Sequence, residues 1–141
     1  MLTADSDIAR LLDETHTIAL VGASDRPDRA AFEVMGALIA HGYHVIPVNP
    51  LLAGQVIHGQ TVAANLAEIA QPIDMVDVFR RSEFVAGVVD EAIAAGAKSV
   101  WTQLDVIDHQ AAARAQAAGL QVVMDRCPKI EIRRLGVAKK K

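Results

Sequence analysis

The sequence predicts a doubly wound α/β domain, with a parallel sheet covered by helices on both faces. Three observations carry this. Short β-branched runs alternate with Ala-rich amphipathic runs from end to end, the first two strand-like runs end at Gly22 and at Asn49-Pro50, and the apolar share is 52% with mean hydropathy +0.24, far from a disordered composition. At 141 residues the chain has the length of one domain and can bury a real core.

The elements follow in order. Ile8, Leu11 and Leu12 fall at helical spacing and predict a helix over about residues 5–14. Thr17-Ile18-Ala19-Leu20-Val21 reads as a buried strand ending at Gly22. Ala31, Val34, Met35 and Leu38 mark one face of the next helix, closed by His41-Gly42. Tyr43 to Val48 is the second strand; Pro47, lacking an amide hydrogen, belongs near a strand end or on a free edge. Residues 49–71 are the least regular, with a short strand at Val56-Ile57-His58 and a short helix from Asn65 to Ile69. Ile73 to Phe79 is a strong strand, followed by a helix carrying Val85, Val88, Val89 and Ala92. Ser99 to Leu104, a helix from about Ile107 to Ala118 capped by Gly119, and Leu120 to Met124 complete the alternation. Strict rotation of strand and helix implies right-handed crossovers, hence a Rossmann-type single domain spanning residues 1–141.

Composition narrows the function. A formal charge of −3 lacks the broad basic surface of a nucleic-acid binder, and the run at about 137–141 is read as a solvated basic tail. No stretch suits a membrane span or a signal peptide, which makes the cytoplasm the expected compartment. The single Cys127 allows no internal disulfide. The five histidines show no metal-ligand spacing, and Asp74 and Asp77, three residues apart in a strand, point to opposite faces. Trp101 fits either a channel wall or the core.

In doubly wound sheets ligands bind at the carboxyl ends of the strands, where strand order reverses. The loop Gly22-Ala23-Ser24-Asp25-Arg26-Pro27 is placed there, beside Asn49-Pro50 and the end of the Ile73–Phe79 strand. Gly22 permits a sharp turn, Ser24 offers a hydroxyl, and Arg26 and Arg29 offer forked donors near a helix N-terminus. That chemistry suits a phosphorylated ligand. The dinucleotide fingerprint is incomplete, because Ala23-Ser24 follows Gly22, and the second strand ends in Asn49-Pro50 where a ribose-binding carboxylate would stand.

Five ordered blocks carry a resemblance: Thr17 to Ser24, Gly42 to Pro50, Met75 to Arg80, Trp101-Thr102-Gln103, and Val122 to Pro128. Together they resemble the CoA-binding protein family typified by bacterial YccU, which is similar to the CoA-binding domain of the succinyl-CoA synthetase α subunit. The resemblance implies a site for coenzyme A or an acyl-CoA. Gly22, Ala23, Ser24, Asp25, Arg26 and Pro27 would hold the phosphate-bearing part. Asn49, Pro50, Val78, Phe79 and Arg80 would complete the nucleotide pocket, with Cys127 as a thiol neighbour. The chain departs from the family at Ala30-Ala31-Phe32, where Pro-Ser-Tyr is common, and at Asp105, where Gly is usual and where the loop's backbone shape is at stake. No complete catalytic constellation is recognisable, so the expectation is a non-catalytic module. The alternatives are a partner-dependent CoA transferase or ligase subunit and an NAD(P)-dependent oxidoreductase. The Ala-rich helix faces suggest a homodimer.

Overall fold

The computed structural model describes residues 1–140. The chain runs α1 (Asp5–Glu14), β1 (Thr17–Val21), α2 (Ala30–Ala40), β2 (His44–Val48), β3 (Val56–Ile57), β4 (Gln60–Thr61), β5 (Met75–Val78), α3 (Val85–Ala94), β6 (Ser99–Thr102), α4 (His109–Ala117), β7 (Gln121–Val123) and α5 (Pro128–Leu135). Single 3-10 turns occupy Leu66–Glu68 and Ser82–Phe84. Five strands form one parallel sheet in the order β2-β1-β5-β6-β7, and β3 pairs with β4 as a separate small hairpin. The doubly wound architecture expected from the sequence is therefore present.

Two cores sandwich the sheet. On one face, Ile8, Leu12, Met35, Leu38 and Ile132 from α1, α2 and α5 pack on Ile18, Leu20, Met75 and Trp101. On the other, Val85, Val89 and Ala92 from α3 and Ala111 and Ala115 from α4 pack on Ala19, Val76, Val78 and Val100. Burial of both faces explains the continuous β-branched runs of the central strands. Pro47 sits in β2, an outer strand, where its missing amide costs the sheet no hydrogen bond, and its carbonyl accepts from Ala63 N–H at 2.9 Å. At the far edge, Leu2 N–H donates to the Val122 carbonyl of β7 at 2.8 Å.

Three expectations are corrected. The C-terminal helix α5 was not anticipated. Half of its residues are charged, but Pro128 opens its first turn and Gly136 closes it in the left-handed conformation at φ 64°. The Ala-rich surface of α4 is only partly exposed: Ala111, Ala112 and Ala115 are buried against the α3 side of the sheet, while Ala113 and Ala117 face outward. The basic tail is not simply solvated either: Lys140 N–H donates to the His41 carbonyl at 2.8 Å, and its ammonium lies 5.3 Å from the centre of the Tyr43 ring. The His41 ring, in turn, bonds the Val137 carbonyl at 2.9 Å.

An ion network centred on one buried carboxylate holds α5 in place. Glu131 is 5% exposed and accepts from Arg126 at 2.9 Å and Arg134 at 2.6 Å, while Arg134 also reaches Asp5 of α1 at 2.7 Å. Burial alone would raise the Glu131 pKa, but the two guanidinium bonds outweigh it and hold the carboxylate below its usual range. Its stabilisation is present above the ordinary glutamate pKa and is lost as pH falls through the lowered one. Glu131→Gln should cost about 2–4 kcal/mol in urea denaturation at pH 7, with the deficit shrinking towards pH 3. An equal deficit at both pH values would contradict the ion network as its source.

Candidate functional site

Strand order reverses at β1. The chain steps outward from β1 to β2, returns past β1 to β5, and then proceeds the other way through β6 and β7. The crevice at the carboxyl ends of β1 and β5 is thus the place the fold offers to a ligand.

Gly22 shapes that crevice. Its φ of 89° lies in the region that side chains avoid, and a Cβ there would run into the Phe79 carbonyl at the end of β5. Gly22 and Ala23 amides both bond the Val48 carbonyl, at 3.0 and 3.2 Å. Asn49 is engaged inside the loops: its Nδ2 donates to the Ala23 carbonyl and its Oδ1 accepts from Leu51 N–H, both at 2.9 Å. It locks the loops after β1 and β2 together.

Around this knot the cleft has two lobes that share Gly22, Asn49 and Leu51. The lobe beside α2, ≈ 470 Å³, is lined by Ala23, Ser24, Asp25, Arg26, Arg29 and Phe79, with Leu52 opposite. Ser24 Oγ accepts from Arg26 N–H at 3.1 Å, which leaves its own proton free to donate. No side chain caps α2, so the amides of its first turn, at Ala30 and Ala31, have no intrahelical acceptor and border the lobe. Arg26 is exposed and stands 3.7 Å from an exposed Asp28, an ion pair too weak to hold it back from an anion.

The lobe beside α3, ≈ 430 Å³, is lined by Pro50, Arg80, Phe84 and Gly87, with Asn65 and Glu91 at its rim. Arg80 stacks its guanidinium 3.9 Å from the centre of the Phe84 ring. Gly87 has nothing within 4 Å of where a Cβ would lie, so this wall is open and flat.

The structure brings together most of the residues expected here, with two exceptions. Val78 is fully buried in the core beneath the crevice, and Pro27 is exposed outside the lining. Sequence reasoning missed the α3 wall (Phe84, Gly87, Glu91) and the hairpin side (Leu51, Leu52, Asn65). Only the tertiary fold brings these residues to the crevice.

Cys127 is 6% exposed and is the N-cap of α5, across the sheet edge from the Gly22 loop. Trp101, left open between channel wall and core, is fully buried, and its indole N–H donates to the Arg126 carbonyl at 2.7 Å. Asp105 keeps the loop after β6 in the left-handed shape a glycine would take, with φ 66° and its amide bonded to Asp125 at 2.6 Å. The local backbone survives the substitution, at the expense of strain. Among the described residues no group of His, Cys, Asp and Glu could hold a metal ion, and no helix is long and apolar enough to cross a membrane.

The comparisons with known proteins bear on the family and the fold. The chain is 38% identical over 125 residues to the uncharacterized protein YneT of Bacillus subtilis (strain 168), covering 89% of this chain and 91% of YneT. A hypothetical protein from Pyrococcus horikoshii OT3 superposes with TM-score 0.89 at 38% identity, over 94% of this chain and 92% of that one. The fold also recurs, at TM-score 0.68 and 24% identity, in the dinucleotide-forming acetyl-coenzyme A synthetase 1 of Ca. Korarchaeum cryptofilum, where 82% of this chain matches 27% of that much longer one. The sequence profile of the CoA binding domain matches residues 16–133, most of the chain. With its switch-point crevice, its uncapped helix and this match, the chain belongs to the CoA binding domain family.

Proposed function

We propose that this protein is a CoA-binding module that takes CoA or an acyl-CoA in the two-lobed crevice and performs no chemistry alone. One observation carries the reading: the Gly22–Pro27 turn meets the uncapped start of α2, with Ser24, Arg26 and Arg29 facing the same lobe. Free amides at the positive end of a helix, a hydroxyl donor and two guanidiniums form a receptor for phosphate oxygens. The open α3 lobe, with Phe84 and the bare Gly87, suits the flat face of an adenine. CoA has both parts.

A thermal-shift panel of CoA, acetyl-CoA, NAD and NADP tests the reading, because a ligand that binds only the native state raises its melting temperature. CoA should stabilise and NAD should not. Tighter binding of NAD would replace the module by an oxidoreductase. Arg26→Ala should weaken CoA by about 1–3 kcal/mol in calorimetry, and unchanged affinity would leave Arg26 an ordinary surface residue.

The thiol end of CoA is assigned to the neighbourhood of Cys127. Incubation with CoA disulfide should then yield an adduct on intact-mass spectrometry. The Cys127 sulfur attacks one sulfur of the disulfide, the old S–S bond breaks, and the released CoA carries away the thiol proton. A protein that binds CoA yet never gains a reductant-sensitive adduct would remove Cys127 from the site.

A further inference from the structure

Among the described residues, two buried side chains carry oxygens without a hydrogen-bond partner, and both belong to the carboxyl end of the sheet. Neither oxygen of Asp77 has a hydrogen-bond partner, and the residue is fully buried; Gln103 is 8% exposed and its Oε1 is likewise unpartnered. Leaving such groups dry and unbonded costs more than most single contacts return. Their positions follow from the register. Asp77 lies between Leu20 of β1 and Trp101 of β6. Two residues further along, Gln103 N–H bonds Val78, which puts Gln103 beside Phe79. With strict alternation, Asp77, Phe79 and Gln103 all project onto the α2 face, as does Trp101. Asp77 and Gln103 are therefore diagonal neighbours on adjacent strands.

Phe79 stands next along the same face, two residues past Asp77 and beside Gln103. It is only partly buried, and with Ala23 and Ala31 it floors the α2 lobe of the crevice. Beyond Gln103, Leu104 and Cys127 line another cavity of ≈ 300 Å³. In strand order the two orphaned groups, on β5 and just past β6, thus stand between the α2 lobe beside β1 and Cys127 after β7.

We propose that Asp77 and Gln103 are the polar contacts for the amide-bearing arm of the ligand, entering past Phe79. This rests on the reading of the crevice as a CoA site. The arm of CoA carries two secondary amides, each with one donor and one acceptor. A carboxyl kept neutral by burial and a carboxamide both present a donor and an acceptor, so either can meet such an amide. An ionised phosphate presents acceptors alone and would leave the acid's own acceptor unmet.

Calorimetry of purified variants with CoA and with adenosine 3′,5′-bisphosphate, the nucleotide half without the arm, tests this. Asp77→Ala and Gln103→Leu should each weaken CoA about tenfold or more while leaving the bisphosphate within about twofold. Asp77→Asn, which keeps a donor and an acceptor in the same volume, should bind CoA nearly as the wild type does. If Asp77→Ala does not fold, Gln103→Leu decides alone. Wild-type affinity for CoA in these variants, or equal loss of both ligands, overturns the assignment of the arm. Wild-type protein that binds both ligands equally also overturns it, while leaving the crevice intact as a nucleotide site. Failure of the wild type to bind either one overturns the CoA reading itself.

Discussion

Asp77→Asn is expected to raise the melting temperature strongly at pH 7 and hardly at all at pH 4. Burial without a partner pushes the Asp77 carboxyl well above the ordinary carboxylate range. Below about pH 4 the folded and unfolded chains both hold its proton, and wild-type stability is full. As pH rises, the unfolded chain releases the proton that the folded chain keeps. Stability then falls by about 1.4 kcal/mol per unit until the folded carboxyl also titrates. Asparagine occupies the same space without titrating, so the variant escapes this loss. The gap between the two proteins should widen steadily from pH 4 upward. Parallel stability profiles across that range would show that Asp77 has a partner or reaches water.

Gly22→Ala should do the opposite, and at every pH. The residue would have to hold φ near 89° and push its Cβ into the Phe79 backbone, so neither a rotamer change nor a shifted side chain relieves it. The left-handed conformation costs about 1–2 kcal/mol, and prising β1 from β5 adds to that. A loss of about 3 kcal/mol or more in urea denaturation is expected, placing this among the severe single substitutions, together with loss of ligand binding at the switch point. Gly87→Ala is the control. It lies within α3 with open space around it, and should stabilise by about 0.5–1 kcal/mol through helix propensity. A Gly22→Ala protein within about 1 kcal/mol of wild type would refute the backbone argument.

These two residues also show what could be read from the sequence and what could not. The Gly22 loop was legible because a glycine after a buried strand, in a rotating strand–helix pattern, has one place to be. Asp74 and Asp77 are kept apart, but not by the alternation expected: Asp74 precedes β5 and accepts from His16 and Thr17 amides at 3.0 and 2.9 Å, while Asp77 is buried within the strand. That the inward face has no partner waiting was not legible, because both faces of β5 are covered and alternation cannot rank them. Helix α5 escaped for a related reason. Among its aliphatic side chains, only Ile132 is buried, alongside Pro128 and Glu131, while Ile130 is half exposed. An apolar stripe that thin leaves little periodicity to detect. The α3 wall of the crevice is contributed by residues more than thirty positions beyond Pro50, and no local pattern announces such a meeting.

The hydrogen bonds at the two outer strands have a consequence for how this molecule keeps to itself. Parallel sheets of this kind end in rows of bare amides and carbonyls, which invite another chain to dock as an extra strand. Here Ala63 bridges to the outside of β2, donating to Pro47 and accepting from Asn49 at 2.9 Å each, and Pro47 offers no amide to recruit. Leu2 lies along β7 at the opposite side. The protein thus blunts both margins with its own backbone, which removes the simplest route to fibrous self-assembly. Removing the first three residues would reopen one margin while leaving the crevice untouched. Solubility at high concentration would then depend on a segment that lies outside the two-lobed crevice and meets the ligand's side of the sheet only at the Cys127 cavity.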